Sequence, residues 1–383
     1  MSTLYSFFDF LLLQVYAPTV NYFLPFVVII SVIVFIHEFG HYWVARRCGV
    51  KVEAFSIGFG REVFGWTNKA GTRWKIALVP LGGYVKMFGD EGAASNPDSE
   101  KISELTPEER KIAFNTQPLH KKAAIASAGP IANFLLSILI LTFFIWHYGI
   151  AESSSEVGKV MKGSAAEETG LKSGDKITEL NGVSISKFQE LQGIVSLHPD
   201  MEMSITYERE GQSIHGKISP KLRESTDIFG NKVEIGQIGI SPGGMVHTAQ
   251  LAPLPALGAA IRETYTISVQ TLTALGQVIT GARSVNQLSG TMRIVEYSGQ
   301  AASHGLETVL WFMVVLSINL GLINLFPIPM LDGGHLFFYA IEAARGRPLK
   351  ERTLEYCFRF GLLVIISLML RTAFNDLKHF GVF

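Results

Sequence analysis

The amino-acid sequence predicts a polytopic α-helical membrane protein of four transmembrane helices, with a small membrane-associated β-element and one folded domain inserted outside the bilayer. Three observations carry this expectation: a charge content too low for a water-soluble globule, apolar runs long enough to cross a membrane, and a turn-rich polar stretch between the second and third of them. Of 383 residues, 48% are hydrophobic and 17% are charged, against roughly 25% charged in soluble domains. The 33 basic and 33 acidic residues cancel. That balance leaves no basic excess to hold a phosphate backbone, so the expected partner is a lipid bilayer and not nucleic acid. Two cysteines, Cys48 and Cys357, are too few for a disulfide framework.

Residues 1–150 read as an N-terminal membrane half. Its first span covers about 23–45, and because the first basic residue is Arg46, it lacks the charged start of a cleaved signal peptide and is expected to stay in the mature protein. Between the spans, residues 52–90 alternate polar and apolar side chains around Trp74, Ile76 and Leu78, the pattern of a cytoplasmic β-element. The second span, about 123–147, lies in a run from Ala123 to Ile150 without Lys, Arg, Asp or Glu. Residues 306–383 form the C-terminal half, with spans at about 306–331 and 356–374. The last is long enough only if Arg359 and Arg371 snorkel at its ends. Arg46, Arg47, Lys51, Lys121, Lys122, Arg345, Arg347, Lys350 and Arg352 flank the spans on one side. The positive-inside rule makes that side cytoplasmic and puts both termini and the segment from Ala151 to about His304 on the opposite side.

Within that external segment, residues 155–222 read as short strands around Gly, Asn and Asp turns, with a helix near Phe188 to Ser196. The stretch "SAAEETGLKSGDKITELNG" resembles a PDZ domain of the bacterial, circularly permuted kind. That resemblance implies an exposed strand edge at Gly158, Lys159 and Val160 that accepts a peptide by β-augmentation. Residues 223–305 follow, containing an amphipathic helix at about 255–281 marked by Leu257, Ile261, Tyr265, Val269, Leu272 and Leu275. A fifth span there would put Asp332 in the opposite leaflet from His41, so the helix is expected to lie at the interface.

The chemistry begins at His37-Glu38-Phe39-Gly40-His41. On a helix, residues four apart differ by about 40° around the axis, so both imidazoles leave one face as zinc requires. Ionisable groups inside a span are costly unless they do something. Two histidines leave a zinc site short of one protein ligand. Asp332, in "NLFPIPMLDGGH", is the leading donor and His335 its rival. Pro327 and Pro329 break the helix there, which a membrane tolerates only where the chain lines a cavity or is buried in protein.

A transmembrane H-E-x-x-H, a PDZ domain and "NLFPIPMLDGGH" in a distal span together resemble the site-2 protease family of intramembrane zinc metalloproteases, nearest the bacterial regulator of sigma-E protease group. "SIGFG" at Ser56–Gly60, "GGYVKM" at Gly82–Met87 and "FNDL" at Phe374–Leu377 extend the likeness along most of the chain. The resemblance implies Zn2+ on His37, His41 and Asp332, with Glu38 as general base toward a zinc-bound water. It implies that Asn319 and Asn324 face the cleft and that Gly58, Gly60, Gly82 and Gly83 hold substrate as a strand. Read without it, the asparagines are helix-packing groups and the glycines parts of a cytoplasmic β-unit. The implied activity is cleavage in or near the membrane span of single-span proteins, such as anti-sigma-factor-like proteins or signal-peptide remnants, pre-cut by another protease, in regulated intramembrane proteolysis. The implied location is the bacterial inner membrane, with the active site in the cytoplasmic leaflet. Two departures stand out: one PDZ domain where many relatives have two, and Thr291 where a proline is expected. A silent PDZ scaffold or a metal transporter remains a competing class, but neither needs Glu38 or a broken helix beside Asp332.

Overall fold

The computed structural model describes residues 19–90, 104–226, 232–243, 247–282, 285 and 288–381; the expectations for the extreme termini lie outside them. The chain forms two compact units, residues 1–140 with 285–383, and residues 141–284. Among the described residues, four helices are long and apolar enough to cross a membrane: Val20–Arg47, Leu119–Tyr148, Leu306–Asn324 and Arg352–His379.

Helix α1 (Leu24–Arg47) is sorted by face. Phe26, Ile29, Ile33, His37, His41 and Ala45 recur every three or four residues and are buried, while Leu24, Val28, Val32, Phe39 and Trp43 are exposed. The two histidines therefore sit inside the protein-facing stripe, and the opposite stripe is left apolar for lipid. Strands β1 (Val52–Thr67) and β2 (Arg73–Met87) follow. Their register doubles: Ala54 faces Lys86 and Arg73, Ser56 faces Tyr84 and Lys75, and Ile57 faces Gly83 and Ile76. Residues 54–57 thus lie between two stretches of β2, and among the described strands residues 83–87 pair on one side only. The rest of the hairpin exposes Phe59, Val63, Phe64, Trp66, Ile76, Leu78 and Val79, an apolar surface too large for a purely aqueous β-unit. Helix α2 (Leu119–Tyr148) buries Asn133 and Ser137 completely and exposes Ile131, Leu135 and Leu139.

In the second unit, β3 (Val157–Val160), β4 (Lys176–Leu180), helix α3 (Phe188–Leu197), β5 (Met203–Arg209), β6 (Gln212–Ile218) and β7 (Ile240–Pro242) surround one apolar core. A four-stranded sheet runs Val183–Ser184, β4, β5, β6. The domain does not end at 222: β7 pairs with β3 through Ile240↔Val160 and Pro242↔Val157, and Ile238 belongs to the core. Gly158, Lys159 and Val160, the expected peptide edge, lie on a strand that β7 pairs along one edge, with the Lys159 N–H donating to Ser241 Oγ at 3.0 Å. Asp175 is buried and accepts two hydrogen bonds from Arg209, each 2.7 Å, and one from the Lys172 N–H. Burial alone would raise its pKa, but these hydrogen bonds outweigh it and hold the carboxyl below the usual carboxylate range. Helix α4 (Pro253–Ile279) buries Ala256, Ala260 and Thr264 and exposes Leu254, Ile261, Tyr265, Val269 and Leu272.

The chain then returns to the first unit. Helix α5 (Thr291–Ser303) starts against Asp376, whose carboxylate accepts the N–H groups of Gly290, Met292 and Arg293 at 2.8, 2.9 and 3.3 Å. Asn375 donates to the carbonyls of Val285 and Leu288, so "FNDL" is a clamp on this turn. Thr291 is the first helical residue, where proline fits because its N–H is not needed. Its replacement by threonine leaves the cap in place. Helix α6 (Leu306–Asn324) stops seven residues short of the expected 331, because Pro327 and Pro329 cannot continue it. Helices α7 (Asp332–Arg345) and α8 (Glu351–His379) complete the unit. Only 11% of the most apolar stretch of α8 is buried, against 39% for α6.

Candidate metal centre

The broken segment after α6 is shaped around Asp332. Side chains at Gly333 or Gly334 would strike the backbone of Leu325 and Phe326 or of Ile328. Met330 takes φ 84°, a left-handed conformation that costs a non-glycine residue about 1 kcal/mol or more. The double glycine lets residues 325–331 fold back on the first turn of α7, and that turn presents the Asp332 carboxylate to α1.

There it meets the two histidines. Asp332 Oδ2 lies 3.2 Å from His37 Nε2 and 3.5 Å from His41 Nε2, and the two Nε2 atoms are 3.2 Å apart. A tetrahedral zinc with ligand bonds of about 2.0–2.1 Å separates its ligand atoms by about 3.3–3.4 Å. The observed triangle has that size. His41 Nδ1 donates to the carbonyl of Ile125 at 2.8 Å, which leaves Nε2 as a lone-pair donor to a metal. Asp332 Oδ2 is buried with no hydrogen-bond donor, an expensive state for an anion unless a cation answers it. These residues fit zinc by residue type, spacing and unmet charge, and among the described residues they are the group of three or more His, Cys, Asp or Glu able to hold a metal. His335, the rival ligand, is not in that group; its ring packs on Phe358 at 5.7 Å and Tyr339 at 6.3 Å.

A cavity of about 910 Å3 opens on the triangle and is lined by His37, Glu38, His41, Gly82, Gly83, Asn324 and Asp332, among others. Gly83 packs so tightly that a side chain there would meet the Ser56 carbonyl and the Glu38 side chain. Asn324 Nδ2 reaches within 3.4 Å of His37 Nε2. The other expected residues are placed differently. Asn319 is half-buried on α6 outside this lining, Gly58 is buried where a side chain would strike the Val79 carbonyl, and Gly60 is exposed.

Sequence reasoning missed two residues of α2. A side chain at Gly129 would overlap the His41 and His37 rings, so only glycine lets α2 approach the pair. The Asn133 amide lies 3.2 Å from His37 Nδ1. A readable signal existed: Gly129, Asn133 and Ser137 recur every four residues, opposite the apolar stripe of Ile131, Leu135 and Leu139.

Comparison with known proteins agrees with this geometry. Residues 25–368 match the description "Peptidase family M50". The chain is 43% identical over 361 residues to a protein of Agrobacterium fabrum named as a candidate zinc metalloprotease, covering 94% of this chain and 96% of that one. It is 38% identical over 379 residues to "Metalloprotease MmpA" of Caulobacter vibrioides, covering 93% and 95%. Among solved structures it is similar to the PDZ domain of an SdrC-like protein from Listeria innocua, with 25% identity, a TM-score of 0.20, and coverage of 25% of this chain and 99% of that one. With a family match over residues 25–368, near-complete coverage of its relatives and a triangle of His37, His41 and Asp332 able to hold a metal, the chain belongs to peptidase family M50, the zinc metallopeptidases of site-2 protease type.

Proposed function

We propose that this metallopeptidase hydrolyses a peptide bond within or near the transmembrane segment of single-span membrane proteins, in regulated intramembrane proteolysis. The observation that carries the reading is one shared cavity: Glu38, the three zinc ligands and the unpaired β-edge at Gly83 all open onto it. His37, His41 and Asp332 hold zinc, which supplies a Lewis acid that makes water acidic near neutral pH and polarises a carbonyl. Glu38, about 100° around the helix from His37, takes the proton of the attacking water and returns it to the leaving amine. A helical substrate segment protects its own peptide bonds, so it must unwind before hydrolysis. Residues 83–87 offer an edge on which the freed backbone can pair as an added strand. Asn324, which lines the cavity, is assigned to substrate contact; Asn319, outside the lining, is not. Gly58 and Gly60 act through the shape of the hairpin.

We read the inserted unit as an extracytoplasmic PDZ domain that governs access, as a steric filter in preference to a receptor for the new C-terminus of a pre-cut substrate. Any peptide it captures would add to an outer edge of the β3–β7 pair. The exposed apolar stripe of α4 supports an interfacial position for that helix. The proposed location is the bacterial inner membrane, with the basic flanks cytoplasmic. The deciding experiment is Glu38→Gln in the purified protein, reading zinc content and cleavage of a single-span reporter together. Zinc should be retained and cleavage should fall at least about a hundredfold; substantial residual turnover would overturn the mechanism.

A further inference from the structure

The two histidines are held differently at their outer nitrogens, and this difference identifies a residue to which the motif assigns no role. His41 Nδ1 faces the Ile125 carbonyl, a group that can only accept. Its proton is therefore fixed on Nδ1 and its Nε2 is free for the metal. His37 has no carbonyl there. Its Nδ1 faces the Asn133 side chain at 3.2 Å, and a side-chain amide can donate or accept according to which end it presents.

The amide nitrogen is the end that faces the ring, while Asn133 Oδ1 is buried without a donor. A donating amide would place the His37 proton on Nε2, the atom aimed at Asp332 Oδ2, and so block it as a ligand. Half a turn of the amide presents Oδ1 to His37 Nδ1–H, which satisfies the orphaned oxygen and frees Nε2. The backbone beneath is pinned for this purpose: the Ser137 and Ser317 hydroxyls both donate to the Asn133 carbonyl, at 3.1 and 2.9 Å. Asn133 itself is fully buried, so no water competes for His37.

We propose that Asn133 is a positioning residue that fixes the tautomer and ring orientation of His37 by accepting its Nδ1 proton, and that zinc affinity depends on it. The inference rests on the zinc reading of the site. It separates two roles that a buried asparagine in a membrane helix can have, since a packing role needs only its volume and the proposed role needs its oxygen.

The test compares Asn133→Leu, which keeps volume and removes the acceptor, with Asn133→Asp, which keeps an oxygen toward the ring. Zinc affinity is measured on the purified full chain by competition with a chelator, and the thermal midpoint of the metal-free protein is measured beside it. Asn133→Leu should weaken zinc binding about ten- to hundredfold, the range for losing an outer-shell partner of a ligating histidine. Asn133→Asp should stay within about threefold of the parent, as carboxylate–histidine–zinc arrangements do. Parent-like zinc affinity in Asn133→Leu overturns the proposal. So does an Asp variant as weak as the Leu variant with an unchanged metal-free midpoint. If Asn133→Leu does not fold, the Asp variant decides alone: retained affinity supports the role, and a tenfold loss refutes it. A parent protein that binds no zinc would instead overturn the site reading itself.

Discussion

The inserted domain and the membrane unit each hold an aspartate with a buried carboxylate oxygen, and they treat it in opposite ways. Asp175 of the domain is answered completely, by both arms of Arg209 and by a backbone N–H. Asp332 of the membrane unit shows a buried oxygen with no donor, aimed at two imidazole nitrogens that are themselves lone-pair donors once zinc is present. A third case, Asp376, lies in the membrane unit yet follows the first pattern, with three backbone N–H groups on its oxygens. The contrast therefore does not come from membrane against water. Of these three aspartates, two are answered by the protein's own donors, and Asp332 is the one whose surroundings suit a cation.

The largest effect that can break this contrast is expected at Asp332. Asp332→Asn should reduce zinc affinity by more than the hundredfold that bounds outer-shell losses, while His335→Ala leaves zinc content nearly unchanged; metal analysis of both purified variants decides. If zinc follows His335, Asp332 is a structural carboxylate like the others. A smaller effect is expected at Asp376, where Asp376→Ala strands three N–H groups at the start of α5. The folded protein should lose about 2–3 kcal/mol, from the usual worth of hydrogen bonds to a charged group, read as a lower thermal midpoint. Zinc per folded molecule should stay constant, and a parallel loss of zinc would make Asp376 part of the metal centre.

The smallest effect sharpens the comparison through pH. Because the Asp175 pKa is depressed in the folded state, its ion pair contributes fully above the unfolded value of about 3.9 and is lost as pH falls through the folded value. Unfolding of the second unit should therefore depend less steeply on pH below about 4 in Asp175→Asn than in the parent, compared by thermal melts at stepped pH. Equal slopes would mean that Arg209 does not hold the carboxylate in solution.

How much of this could be read from residues alone follows from locality. His37, Glu38 and His41 occupy one helical turn, so their spacing states their geometry. Asp332 was legible because two prolines and two glycines mark a break that a membrane does not otherwise tolerate. The spacing of Gly129, Asn133 and Ser137 marks Asn133 as protein-facing but does not name its partner, which sits 96 residues away. The strand that continues the domain beyond 222 is hidden for the same reason: β7 pairs with β3 across about eighty residues. The hairpin was expected as a simple alternating pair, and its doubled register depends on a bend that no period-two pattern encodes.

The clamp at Asp376 bears on how the protein is made. The carboxylate that caps α5 belongs to a residue 86 positions after Gly290, on α8. Until Asp376 has left the ribosome, the first turn of α5 has three amide groups and no acceptor from this source. The first turn of α5 is therefore completed only when α8 arrives, and a chain truncated before Phe374 keeps His37, His41 and Asp332 while lacking the fastening that holds α5 to α8.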